Sequence, residues 1–233
     1  NAAGQPRHPH RRGRIAARPA QQQRPPGQNS CHGILGRAQD RPVMQQEHIG
    51  DAAQTRHGLG IVDGKFDFVV SSHCIEHQPD LIRHLQGVER LLNANGNYLL
   101  VIPDKRYCFD HFMPLTTVED VKAAYDDERT LHTIASHRLH ATLRTHNDPR
   151  RHWSGDHGSP LGEECFTRDD ELAVMSRIAK NQYSDIHAWY FTPTSFTGIV
   201  NSLVKMQMSN LHVSAVHRTA RNSLEFCAVL QKK

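Results

Sequence analysis

From about residue 60 onward the sequence predicts an α/β domain that closes in an antiparallel hairpin, and three observations carry that expectation. Between Phe66 and Ile102 a β-rich run, an amphipathic helix and a second β-rich run follow one another. Two alternating apolar runs end the chain, one through Leu211, Val213 and Ala215, the other through Leu224, Phe226, Ala228 and Leu230. The texture of the sequence also changes near Gly60, so the domain has a visible front edge.

Ahead of that edge there is no Lys, Phe, Tyr or Trp, and Arg, Gln, Pro, His and Ala dominate. Ile15, Ile34, Leu35, Val43 and Ile49 are scattered and fit neither the helical nor the strand period. A segment with so little to bury does not offset its ordering entropy. Residues 1–59 therefore read as a low-complexity segment, disordered or translated out of frame from a GC-rich gene. A basic arm for an acidic surface is the functional alternative. On either of the first two readings the segment adds little to the fold.

The elements after it can be justified one by one. Phe66-Asp67-Phe68-Val69-Val70-Ser71 is a short buried-type strand after the turn-prone Asp63-Gly64. Pro79 opens a segment with Leu81, Ile82, Leu85, Val88, Leu91 and Leu92 at helical spacing, and Asn93-Ala94-Asn95-Gly96 stops it. Tyr98 to Ile102 is the second strand, closed by Pro103. Strand, helix, strand at this length is a βαβ unit with parallel strands and a right-handed crossover. Thr117-Val118-Glu119-Asp120 and Thr167-Arg168-Asp169-Asp170 read as capping-box helix starts. A further helix follows Pro193, with Phe196, Ile199, Val200, Leu203 and Val204 on its buried face.

Bulk properties narrow the class. The 233 residues carry a formal charge of +4, too mild an excess to point to a nucleic-acid partner. Mean hydropathy is −0.62, low for a fully packed chain. Five separated cysteines without a C-x-x-C pair fit a reducing compartment. No apolar run reaches membrane-span length and no apolar signal core is present, so a soluble, cytoplasmic protein is expected.

Ligands of an open parallel sheet bind at the carboxyl ends of its strands. Two segments stand there: Ser71-Ser72-His73-Cys74-Ile75-Glu76-His77 and Pro103-Asp104-Lys105-Arg106. With its neighbours, DGKFDFVVSSHCIEHQPDLIRHLQGVERLLNANGNYLLVIP resembles the fourth strand, following helix and fifth strand of class I S-adenosylmethionine-dependent methyltransferases, closest to the group called type 11. PDKRYCFDHFMPLTT, HAWYFTPTSF and the closing hairpin are similar to bacterial members, so the resemblance covers about residues 60–230. It implies a Rossmann-like sheet of seven strands with the last one antiparallel, and S-adenosyl-L-methionine as cofactor. The family's front end, a Gly-rich turn resembling E-x-G-x-G and an acidic residue ending the second strand, is not recognisable. Gly58, Gly60 and Gly64 follow no apolar strand and open no helix, and the first strands are missing or unrecognisable.

The resemblance places donor and acceptor at the first loop. It makes His73 and His77 candidate catalytic groups, since an unperturbed imidazole titrates near neutrality and suits a base. Ser71, Ser72 and His73 become candidate cofactor contacts. The plainer alternative is that His77 bonds the loop backbone and His73 shapes the pocket wall, and Glu76 is expected to cap or pair. Asp104, Lys105 and Arg106 are candidate substrate-binding groups, Lys105 and Arg106 as cations for an anionic acceptor, though solvated charge is the ordinary state of such residues. Trp153 and His157 are candidates for stacking on, or bonding to, a saccharide-like or other small polar acceptor.

A histidine-rich stretch, His137, His140, His146, His152, Asp156 and His157, has the donor types for Zn²⁺ or Fe²⁺. It carries no H-E-x-x-H or comparable signature, so no metal is expected from it. The expected function is methyl transfer to a small or polar acceptor, in an intact or an impaired form. The alternatives are a metal-dependent hydrolase using residues 137–157 and a non-catalytic methyltransferase remnant.

Overall fold

The computed structural model of the protein describes residues 32–36, 47–48, 59 and 64–233. Six strands form one sheet in the order β2-β1-β3-β4-β6-β5. They are β1 (His32–Gly36), β2 (Glu47–His48), β3 (Phe66–Ser72), β4 (Leu92–Pro103), β5 (Leu211–His217) and β6 (Glu225–Lys232). The β3–β4 pair is parallel, as the βαβ reading requires, and β6 runs antiparallel to both β4 and β5. The expected closing hairpin is thus present and joined to the parallel pair.

Local sequence accounts for most of the helices. Asp80 caps α1 (Leu81–Leu91) by accepting from the Arg83 amide at 2.9 Å. Both capping boxes form, at Thr117–Asp120 ahead of α2 (Val118–Asp126) and at Thr167–Asp170 ahead of α5 (Arg168–Ala179). Short helices α3 (Ile134–Leu143) and α4 (Pro149–Trp153) lie between them, and Thr192 with Ser195 closes a third box at α6 (Pro193–Lys205). Among the described residues no helix is long and apolar enough to cross a membrane.

One apolar cluster holds these pieces together. Leu81, Ile82, Leu85 and Val88 of α1, Val121 and Ala124 of α2, and Phe196, Ile199, Val200 and Leu203 of α6 meet one face of the sheet. That face carries Val69, Tyr98, Leu100, Ile102, Phe226, Ala228 and Leu230, which are cross-strand neighbours in the register. Each large side chain sealed there contributes about 1.5–3 kcal/mol. On the opposite face Leu99 is exposed and Val70, Val101 and Val229 only half-buried. Among the described residues the sheet is therefore packed on one side, whereas a doubly wound sheet is covered on both.

Two elements differ from the sequence expectation. The second strand begins at Leu92, directly after α1, instead of at Tyr98. The register shifts between Phe66 and Phe68, and Asn95 takes φ 62° in the resulting bulge. Gly96 allows that bulge, because a Cβ there would meet the carbonyl oxygens of Asn93 at 3.0 Å and Asp67 at 3.2 Å. The larger difference is at the front, where no element was expected before residue 60. Backbone of His32–Gly36 pairs antiparallel with β3, and Glu47–His48 pairs with β1. The stretch His-Gly-Ile-Leu-Gly has two adjacent β-formers between glycines, too short a run to show a period. The rest of residues 1–58, and the expectation of a disordered or out-of-frame segment there, lie outside the described residues.

Candidate functional site

The parallel pair brings two chain exits to one rim. The His73 amide donates to the Val101 carbonyl at 3.0 Å, and His73 then takes φ 48°, which turns the chain out of β3. Ile75–His77 follow as a single 3₁₀ turn. Asp104 leaves β4 beside it and forms a parallel bridge with Phe191. The segment ahead of Phe191 runs along the loop, with the Ala188 amide donating to the Glu76 carbonyl at 2.7 Å. Through that contact Asp185 and His187, more than a hundred residues later in the chain, reach the 3₁₀ turn.

Buried charge collects at this junction. Glu76 is wholly buried, and His77, Asp110 and His187 are nearly so. His187 Nδ1 lies 2.7 Å from Asp110 Oδ2. His77 Nδ1 lies 2.8 Å from Asp185 Oδ1, at ion-pair distance though off the line of a good hydrogen bond. Tyr183 Oη stands 3.0 Å from both the His77 carbonyl and Asp185 Oδ1, and its one proton serves either. Burial opposes a charge on His77, but the Asp185 contact and the Glu76 carboxylate outweigh it and raise its pKa. Burial likewise opposes the Asp185 carboxylate, and His77 overcomes it, holding the carboxyl below its ordinary range.

Beside this junction lies a cavity of about 400 Å³ lined by His77, Phe109, His140, Asn147, Asp185 and His187, with Arg144, Thr145, Leu161 and Ile186 completing the wall. Burial drives His140 down to about 4, so it is a neutral imidazole at ordinary pH. A pocket of this size that mixes imidazole, amide, carboxylate and guanidinium groups with Phe109, Leu161 and Ile186 suits a small polar molecule.

The sequence candidates divide around it. His77 borders the cavity. His73 is held between Glu76, 3.5 Å from its Nδ1, and Glu225, 2.7 Å from its Nε2. Those carboxylates raise its pKa to about 9, so it is a cation at neutral pH, contrary to the unperturbed imidazole expected of a base. Ser71 is buried and its hydroxyl bonds Tyr98 Oη at 2.8 Å, which commits it to the core. Ser72 stays half-buried in the strand opposite Val101.

None of the substrate-binding candidates lines the cavity, and each is engaged by other neighbours. Asp104, fully buried, accepts from Arg106 Nε at 2.9 Å and from Thr219 Oγ1 at 2.6 Å. Lys105 Nζ donates to the His111 carbonyl at 2.7 Å. Trp153 stacks on Tyr107 with centroids 4.0 Å apart and donates from Nε1 to the Ser223 carbonyl at 2.9 Å. His157 stacks on His111 at 3.8 Å. The histidine-rich stretch also splits. His137 and His140 sit on α3, whereas His146, His152 and His157 stack together outside it, joined by His111.

Sequence reasoning missed Phe109, Asp110, Asp185 and His187. The available signal was the string Asp185-Ile186-His187 heading a segment already singled out for its resemblance.

S-adenosylmethionine can be tested against these residues. A Gly-rich turn that cradles it must leave the carboxyl end of a strand at the Ser72 rim. The strand beside β3 runs the other way: His32 lies opposite Ser72, and Gly36, its carboxyl end, lies opposite Phe68. Gly64 precedes β3, Gly96 sits in the bulge, Gly87 and Gly198 are inside helices, and Gly155, Gly158 and Gly162 belong to the loop after α4. Among the described residues, then, none forms the turn, and they do not fit the cofactor.

Comparison with known proteins adds the family. A family model described as a methyltransferase domain matches residues 12–201, which takes in β1 and β2 as well as the rim and α1 to α5. No curated protein and no solved structure matches the chain significantly. With four-fifths of its length under that match and the β3–α1–β4 unit and antiparallel closing strands in place, the chain belongs to the class I S-adenosylmethionine-dependent methyltransferases.

Proposed function

We propose that the chain takes a small polar acceptor of methyl transfer, hydroxylated and saccharide-like, into the cavity beside His77, with S-adenosylmethionine as the donor its family implies. The cavity's place supports this most: about 400 Å³ bordered by the 3₁₀ turn that follows the carboxyl end of β3. Methyl transfer is an in-line displacement, so most of the catalytic work is positioning. His77, oriented by Asp185, and Asn147 supply polar edges for that purpose, while Phe109 and Ile186 supply an apolar wall. His73 contributes positive charge and does not take the proton. Impaired donor binding is part of the proposal, supported by the lack, among the described residues, of a Gly-rich turn at the Ser72 rim.

Two measurements test this reading. Calorimetric titration with S-adenosylhomocysteine is expected to give a dissociation constant of roughly millimolar or weaker. Turnover at high S-adenosylmethionine, with a mixture of sugars and hydroxy acids, is expected to give products one methylene heavier by mass spectrometry. Leu161 is exposed at the cavity wall, so Leu161→Trp blocks the cavity without disturbing the core. It should cut that turnover by roughly a hundredfold. Unchanged turnover in Leu161→Trp would remove the cavity as the acceptor site.

A further inference from the structure

Glu76 is buried completely, and neither of its carboxylate oxygens has a hydrogen-bond partner. An ionised carboxylate in that position is strongly unfavourable unless a cation stands against it. His73 Nδ1, at 3.5 Å, is beyond good hydrogen-bond length, and the other nitrogen of that ring is spent on Glu225. Two other side chains are better placed. His77 Nε2 lies 3.7 Å from Glu76 Oε1, and one ligand atom each from Glu76, His77 and His187 fall within 4.8 Å of one another.

The way these imidazoles are held is informative. His77 has Asp185 at its Nδ1, and His187 has Asp110 at its Nδ1. Metal-binding histidines characteristically give one ring nitrogen to a carboxylate, which fixes the ring and leaves the other nitrogen as ligand. The two rings meet edge to face at 88° with centroids 4.6 Å apart, so they do not stack on one another. Among the described residues a second triad, His111, His152 and His157, also has its nitrogens close together. Its rings are stacked within 26° of parallel, Nδ1 of His152 and Nδ1 of His157 are already engaged with each other at 3.1 Å, and no carboxylate completes the set.

We propose that Glu76, His77 and His187 form a binding site for a divalent transition-metal ion, with its remaining positions open toward the cavity. One carboxylate and two neutral imidazoles suit Zn²⁺, Mn²⁺ or Fe²⁺. Three donors about 2.1 Å from an ion lie about 3.5 Å from each other, and the 3.7 Å between His77 Nε2 and Glu76 Oε1 is already close to that separation. That the open positions take an oxygen of the acceptor rests on the function proposed above; the ion site itself does not.

The test uses the full chain stripped of metal and titrated with Zn²⁺, Mn²⁺ and Co²⁺ separately, with no donor or acceptor present. Elemental analysis and calorimetry should find one equivalent bound, and Co²⁺ should give a visible absorption band of a nitrogen- and oxygen-ligated ion. Glu76→Gln and His187→Ala should abolish uptake, and Asp110→Asn should weaken it roughly 10–100-fold by releasing the His187 ring. His157→Ala, in the stacked triad, should bind as the parent does. No uptake by the parent chain overturns the proposal without any variant. Uptake that survives Glu76→Gln, or that is lost in His157→Ala, overturns it too. Should Glu76→Gln lose its circular-dichroism signature, the Co²⁺ band and Asp110→Asn decide. Uptake can fail while turnover stands, and turnover can fail while uptake stands, so the two readings are separable.

Discussion

His77 and His187 cross at 88° with a carboxylate at each Nδ1, whereas His111, His152 and His157 lie nearly parallel and lean on backbone carbonyls and one another. In the outer group His152 Nε2 faces the His146 carbonyl and His111 Nδ1 the Arg106 carbonyl. The consequences for charge are opposite. Burial lowers the pKa of His111 and His152 and so disfavours a charge on either ring, while the carboxylates around His77 raise its pKa despite burial. Imidazoles in similar proximity, two in the inner group and three in the outer, therefore have different chemistry, and the partner of Nδ1 is what separates them. A carboxylate orients the ring and adds a full negative charge that favours its protonated form. A backbone carbonyl orients it through a neutral hydrogen bond that is too weak to offset burial.

The largest effect expected from this contrast is on stability. Asp110→Ala strips His187 of its buried partner and should cost about 3 kcal/mol, the upper end for orphaning a buried polar group. Asp148→Ala removes the cap of α4 beneath the outer stack and should cost about 1 kcal/mol. Urea unfolding of both variants beside the parent checks this, and equal losses would erase the distinction between the groups.

A smaller effect appears in acid. His132 is 4% exposed, near the inner group, but its ring has only Tyr183 Oη, at 3.3 Å. Burial, with help from His137, His77 and His140 and against Asp185, drives its pKa to about 3. Because the folded value lies below the unfolded one, near 6.5, the unfolded chain binds the extra proton. The stability His132 allows is complete above pH 6.5 and falls toward pH 3 by about 1.4 kcal/mol per unit, or about 2 kcal/mol by pH 5. His132→Phe should flatten the loss between pH 7 and pH 5 by that amount. An unchanged slope would mean that burial without a carboxylate does not separate His132 from His77.

The same contrast explains what the sequence could disclose. The β3–α1–β4 unit, both expected capping boxes and the closing hairpin were legible because each depends on residues close in the chain: the run of Leu81, Ile82, Leu85 and Val88, or Thr167 with Asp170. The bulge was partly legible, through Asn95-Gly96, but was read as a helix stop alone. His32–Gly36 was not, since two apolar residues have no period and its partner is β3, some forty residues on. The candidate site was legible at one end only. His77 lay in a recognisable loop, yet its partner Asp185 and the His187–Asp110 pair join positions far apart in sequence. Nothing local distinguishes a histidine that will find a carboxylate from one that will find another ring.

The smallest effect concerns Trp153, which the sequence offered as an acceptor contact and which the structure seats on the outer side. Its ring lies 6° from parallel with Tyr107, and its Nε1 donates to the Ser223 carbonyl just ahead of β6. Trp153→Phe keeps an aromatic face for Tyr107 and deletes that one hydrogen bond, so the cost should be about 1 kcal/mol. If the outer group is structural, the Michaelis constant for the acceptor stays at the parent value while the urea midpoint drops slightly. If Trp153 also touches the acceptor, the Michaelis constant rises along with the drop in the urea midpoint, since uniform binding is lost as well. The second result would extend the acceptor site from the cavity to the outer stack and make the two histidine groups parts of one surface.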